Sequence, residues 1–126
     1  MLGSLQTLEA SMKFSMRKNG DVVVIDVEGK ILLGEGDVEI KRAVDDLLEK
    51  GNKNILLNLA KVPYIDSSGL GEIIRCFTSL RRRNGSLKLL SPNPRIIDLL
   101  SITNLLNVFD WYSDESSALK SFTADA

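Results

Sequence analysis

The sequence predicts an α/β fold: a mixed β-sheet of four to five strands with about four helices packed mainly on one face. Three observations carry this. Runs of β-branched and aliphatic residues at Val22–Val27 and Asn54–Ala60 read as strands buried on both faces. Between and after them, apolar residues recur at helical spacing, first Ile40, Ala43, Val44, Leu47 and Leu48, then Leu70, Ile73, Ile74, Phe77 and Leu80. Glycine, proline and short polar turns then separate the elements into the order β-β-α-β-α-β-α-β-α.

In chain order, Met12–Arg17 alternates loosely and Asn19-Gly20 is a hairpin turn signal, so this segment pairs antiparallel with Val22–Val27. Gly29 ends the second strand. Lys30 to Gly36 forms a loop in which Ile31, Leu32 and Leu33 either tuck down or stay exposed. Asp37 caps a helix running to about Lys50, and Gly51 stops it. The strand–helix–strand order into Asn54–Ala60 implies a right-handed crossover and parallel pairing. A polar turn opens the second helix, which ends near Asn84-Gly85. Ser86–Leu90 is the next strand, and Pro92 and Pro94 start a helix over Pro94–Ser101. Val108–Tyr112 reads as a short edge strand, and Asp114 opens a closing helix to about Phe122, with Ala118, Leu119 and Phe122 inward. Residues 1–11 carry no pattern and are expected to be a flexible arm, with 12–126 forming one domain and Met12 a candidate start.

Composition excludes several function classes. The chain of 126 residues holds 16 basic and 17 acidic residues, for a net charge of −1, so no charge surplus points to nucleic acid or an anionic membrane surface. Its apolar runs fall far short of the roughly 20 residues that span a bilayer. Met1–Ala10 has neither the basic nor the apolar region of a secretory signal, so the expected location is cytoplasmic. The single cysteine, Cys76, reads as an inert helix residue that suits a reducing compartment. Histidine is absent. That removes Ser-His-Asp and Cys-His nucleophiles and most zinc and non-haem iron sites, and no cofactor or metal is expected.

The turn Asp66-Ser67-Ser68-Gly69 concentrates what polar chemistry remains. Asp and Ser accept the orphan N–H groups of a helix's first turn, so the cluster reads first as an N-cap, with Gly69 permitting close packing. It also presents two hydroxyls and a carboxylate at the positive end of a helix dipole. A phosphate there would add about −1.5 to −2 charge and three acceptor oxygens, changing surface potential with little change of fold. Elsewhere, Gly34-Glu35-Gly36 lacks the spacing and lysine of a phosphate loop. Arg81-Arg82-Arg83 with Lys88 reads as a solvated helix end, and Trp111 and Tyr112 as packing near the sheet edge.

Ile65-Asp66-Ser67-Ser68-Gly69-Leu70-Gly71, entered from a buried strand, resembles the signature of the STAS domain, specifically of bacterial anti-sigma factor antagonists. The similarity runs from about Met12 to Phe122 and includes Asn84–Leu89 and Ile96–Leu105. It implies a STAS-like domain in which the serine after the motif aspartate is phosphorylated by an anti-sigma factor that is a serine kinase, and dephosphorylated by a serine phosphatase. The unphosphorylated form would bind the anti-sigma factor and free the sigma factor. By motif position the phosphoacceptor is Ser67, with Ser68 the alternative, and Asp66, Ser68 and Gly69 serve kinase or partner recognition. One stretch departs from the pattern. Where such members often carry Gly-Glu-Leu-Asp, this chain has Gly29-Lys30-Ile31-Leu32, leaving Glu35 and Asp37 to supply acidic charge one turn later.

Three functions follow in order. The first is a non-enzymatic antagonist switched at Ser67. The second is an unphosphorylated STAS scaffold in a signalling or lipid-transport assembly, motivated by Lys30 and Leu32. The third is an enzyme, which would need a lysine or carboxylate base in place of histidine, and Asp66 is adjacent to the serine rather than set in a triad.

Overall fold

The computed structural model describes residues 12–124; the arm expected over residues 1–11 lies outside them. Among the described residues nine elements follow in order: β1 (Met12–Asn19), β2 (Val22–Gly29), α1 (Asp37–Glu49), β3 (Asn54–Lys61), α2 (Ser67–Arg82), β4 (Ser86–Leu90), α3 (Pro94–Ile102), β5 (Trp111–Tyr112) and α4 (Glu115–Ala124). The five strands form one sheet in sequence order. β1 and β2 make the expected antiparallel hairpin, and every later pairing is parallel.

Both faces of the inner strands are covered, which is why β2 and β3 are apolar without alternation. Val23, Ile25, Val27, Ile55 and Leu57 meet α1, α2 and α3 through Ile40, Val44, Ile73, Leu80, Ile96 and Leu100. Val22, Val24, Leu56 and Leu90 face the other way, onto Ala118 and Phe122 of α4. Asp114 caps α4, accepting the Ser117 N–H at 2.8 Å. α4 is also tied to the hairpin: Arg17 Nη2 donates to Glu115 Oε1 at 2.9 Å while its Nε donates to Asp26 Oδ2 at 2.7 Å. Lys88, the buried charged residue of the sheet, lies on this side and donates to Ser121 Oγ at 2.9 Å.

Two boundaries differ from the sequence expectation. The N-cap of α1 is Gly36, not Asp37, which becomes the first helical residue. The Gly36 N–H donates to Glu39 Oε1 at 2.8 Å, the carboxylate half of a capping box, so the cap is satisfied from inside the helix. The edge strand begins at Trp111 rather than Val108. Val108 and Phe109 instead send their N–H groups back to the Leu105 carbonyl, which drives the Phe109 ring into the core edge-on to Phe77, 5.0 Å between centroids.

The second helix ends in a Schellman motif. Asn84 takes the left-handed conformation at φ 63, its N–H donating to Arg81 O at 3.1 Å and that of Gly85 to Leu80 O at 2.7 Å. Gly85 is required for another reason: a Cβ there would run into the carbonyl of Lys53 on the approach to β3.

Candidate functional site

The chain leaves β3 at Lys61 and reaches α2 through Val62-Pro63-Tyr64-Ile65-Asp66. Val62 and Ile65 are buried and pin the turn to the core, while Pro63 and Tyr64 stay outside. Asn93, the N-cap of α3, donates from Nδ2 to the carbonyls of Val62 and Pro63, both at 3.2 Å, joining the entries of two helices.

Asp66 is the N-cap of α2, and its Oδ1 accepts the Gly69 N–H at 2.8 Å. Its second oxygen leaves the helix. Oδ2 accepts the N–H of Leu33 at 3.0 Å, thirty-three positions earlier in the chain. The backbone runs beside this bond: Ile31 N–H donates to Tyr64 O at 3.1 Å and Asp66 N–H to Ile31 O at 3.2 Å. Residues 31–36 are therefore an ordered turn, closed by Leu32 and Glu35 exchanging N–H···O bonds of 2.6 and 3.0 Å. A Cβ on Gly69 would strike the Ile31 carbonyl oxygen, so glycine is what allows this approach. The amides of Gly69, Leu33 and Ser68, in that order apart from a small desolvation cost, hold the Asp66 carboxyl below the usual carboxylate range.

Ser67 is the first residue of α2 and is exposed; Ser68 follows and is half-buried. Among the described residues neither hydroxyl has a protein hydrogen-bond partner. On the α3 side Ser67 opens onto a groove of about 500 Å³ shared with Tyr64, Asp66, Arg95, Asp98 and Ile102. The Arg95 guanidinium stands 5.0 Å from the centre of the Tyr64 ring. Tyr64 is 38% exposed and Ile102 80%, so apolar side chains border the groove beside Ser67; Leu33, whose N–H Asp66 holds, is 72% exposed.

A family model described as the STAS domain matches residues 13–118. The chain belongs to the STAS domain family. It is similar to the TM1081 homolog of Thermotoga neapolitana, 36% identical over 100 residues that cover 79% of this chain and 88% of that protein. It is 28% identical to the anti-sigma-B factor antagonist of Bacillus subtilis over 100 residues, 79% of this chain and 90% of the relative. The solved structure of Thermotoga maritima TM1081 superposes with a TM-score of 0.82 at 31% identity, covering 87% of this chain and 94% of that one.

Within this STAS domain the residues singled out from sequence fall into one neighbourhood. Asp66, Ser67, Ser68 and Gly69 form the opening of α2, Glu35 lies in the turn that Asp66 holds, and Asp37 follows it as the first residue of α1. Glu35 is exposed; Asp37 turns its Oδ1 to its neighbour Val38 N–H at 2.7 Å. Lys30 is exposed, and Leu32 is half-buried within the turn. Gly34-Glu35-Gly36 cradles nothing: the Glu35 and Gly36 amides are spent on Leu32 O and Glu39. Cys76 is buried, and burial first, then the Glu72 carboxylate, pushes its thiol up to about 12, which leaves it inert at neutral pH. Arg81 to Arg83 do close α2, with Arg81 over the Phe77 ring at 5.5 Å, but Lys88, expected to join this solvated cluster, is instead buried in β4. No helix among the described residues is long and apolar enough to cross a membrane.

Sequence reading missed Leu33, Tyr64, Arg95 and Ile102. Ile102 carried no signal in the sequence, because its exposure at the end of α3 is a property of the fold. Arg95 carried none, because one arginine on a helix face is ordinary until its neighbours are known.

Proposed function

We propose that this STAS protein is an anti-sigma factor antagonist whose binding is switched by phosphorylation of Ser67. The observation that carries the reading is the division of labour at the head of α2. Asp66 does the capping, so the exposed Ser67 hydroxyl has no structural task and is free for chemistry. The relatives named as anti-sigma factor antagonists support an anti-sigma factor as the partner, and that this partner is a serine kinase is part of the proposal. In the reaction the Ser67 Oγ bonds to the γ-phosphorus of ATP as the bond to ADP breaks, and the hydroxyl proton leaves to a base of the kinase. A serine phosphatase reverses it with water. The protein supplies the acceptor and no catalytic group.

The dianion would appear in the groove that Ser67 shares with Tyr64 and Ile102, two exposed apolar side chains suited to contact with a partner. Charging the centre of such a patch opposes its desolvation, so phosphorylation releases the partner. The test is to incubate the protein with the serine kinase encoded nearest its gene and ATP, map the phosphate by mass spectrometry, and measure capture of that kinase by wild type, Ser67→Ala and Ser67→Asp. Labelling at Ser67, binding by Ala and loss by Asp are expected. Absence of label at Ser67 and Ser68 with every cognate kinase overturns the switch.

The exposed Lys30, in the stretch that departs from the acidic pattern the resemblance implies, favours a second reading as an unphosphorylated scaffold. Equal partner capture by Ser67→Ala and Ser67→Asp would select it.

A further inference from the structure

We propose that Arg95 is the internal receptor for a phosphate on Ser67, exchanging its contact with the Tyr64 ring for a charge-assisted pair. The inference rests on the phosphorylation reading above and concerns how the same site responds. Ser67, Tyr64 and Arg95 line one groove, with Asp66 and Asp98 as its carboxylates and Arg95 as the sole cation among the lining residues. A phosphoserine here stands beside two negative groups. Asp66 cannot withdraw, since Gly69 and Leu33 hold both of its oxygens. Compensation has to come from a side chain that can move, and Arg95 can.

Among the described residues Arg95 forms no ion pair, and its guanidinium rests 5.0 Å from the Tyr64 ring centre. Stacking of this kind at an exposed site is weaker than a two-pronged guanidinium–phosphate pair, so a phosphate within reach wins the side chain. Two surface changes follow from one modification. The added charge is partly neutralised within the protein, and the Tyr64 ring loses its cationic cover. A partner then meets a groove of altered shape and composition, and a phosphatase must compete with Arg95 for its substrate.

The test uses the full chain with phosphoserine installed at position 67 during translation, so that no kinase is needed. The phosphate is titrated by phosphorus NMR in the parent, Arg95→Gln and Arg95→Lys. The groups facing it are Asp66, Asp98, Tyr64 and Arg95, and the Asp66 carboxyl is held below the usual carboxylate range by the backbone N–H groups that bond it. The phosphate pKa is expected to lie about half a unit lower in the parent than in Arg95→Gln, with Arg95→Lys between them. Tyr64 ring resonances should shift on phosphorylation in the parent and not in Arg95→Gln. Coincident titrations in all three proteins, or Tyr64 resonances that move alike with and without Arg95, overturn the proposal. Failure of a kinase to label Ser67 would instead strike the switch reading and leave this result standing.

Discussion

The two ends of α2 solve the same packing problem and differ in what they leave over. Each carries a glycine because the backbone of another segment comes too close for a Cβ: Ile31 at Gly69 and Lys53 at Gly85. Each terminates cleanly, the first by the Asp66 cap and the second by the Schellman bonds of Asn84 and Gly85. At the C-terminal end the backbone closes on itself. At the N-terminal end one carboxylate serves both the helix and the 31–36 turn, and the hydroxyls of the two serines beside it have no hydrogen-bond partner among the described residues. Surplus polar groups next to a rigid cap are what distinguish a candidate site from a structural terminus.

The comparison is broken most severely at the glycines. Gly69→Ala and Gly85→Ala should each cost about 2 kcal/mol, because backbone carbonyls rather than flexible side chains must give way. Thermal or urea unfolding checks the loss. Partner capture separates the two variants, falling beyond the stability effect only for Gly69→Ala.

Asp66→Ala should cost about 1–2 kcal/mol, since it removes the cap and leaves the Leu33 N–H without its acceptor. Hydrogen exchange should accelerate at Leu33 and Gly69 while Asn84 and Gly85 keep their protection. The same contrast has a pH form. Because the folded Asp66 carboxyl sits below its ordinary value, its contribution is present above the unfolded pKa and lost as pH falls through the folded one. Amide shifts of Leu33 and Gly69 in a titration from pH 5 downward to about pH 2 should follow this loss, and those of Asn84 and Gly85, where no carboxylate caps the helix, should not.

Asn84→Ala should cost about 1 kcal/mol, the penalty of a Cβ residue without a local polar contact in the left-handed region. Ser67→Ala should change stability by less than about 0.5 kcal/mol, because its hydroxyl holds nothing in place. A larger loss in Ser67→Ala would mean that the hydroxyl is structural, and the contrast between the helix ends would collapse.

Most of the fold was legible because its signals are local. The periods of β2, α1, β3 and α2, the Asn19-Gly20 turn and the helix start at Asp114 each lie within one short window, and each element appears where its pattern places it. The misplaced boundaries came from contacts outside such windows. Asp37 is a better cap than glycine in isolation, but Glu39 reaches back to the Gly36 amide, and a φ of 96 with the Ile31 backbone close by disfavours a side chain there. Val108–Tyr112 has strand composition throughout, yet burial of Phe109 against Phe77 bends its first half away from the sheet. At the site, the serines were visible as a helix opening. Their surroundings were not, because Leu33 arrives from before α1 and Arg95 from after β4.

What the sequence by itself determined is therefore the order of elements, the two-faced burial of the inner strands, and the turn where hydroxyls meet a helix start. Periodicity and capping are properties of neighbouring residues, and burial follows from them. What only the tertiary structure decided is that Asp66 belongs to two segments at once, and that Ser67 shares a groove with Tyr64, Arg95 and Ile102. Those facts depend on which loops the parallel sheet gathers at the carboxyl ends of its strands. No local pattern encodes a distance across the sheet, and only the packed chain fixes it.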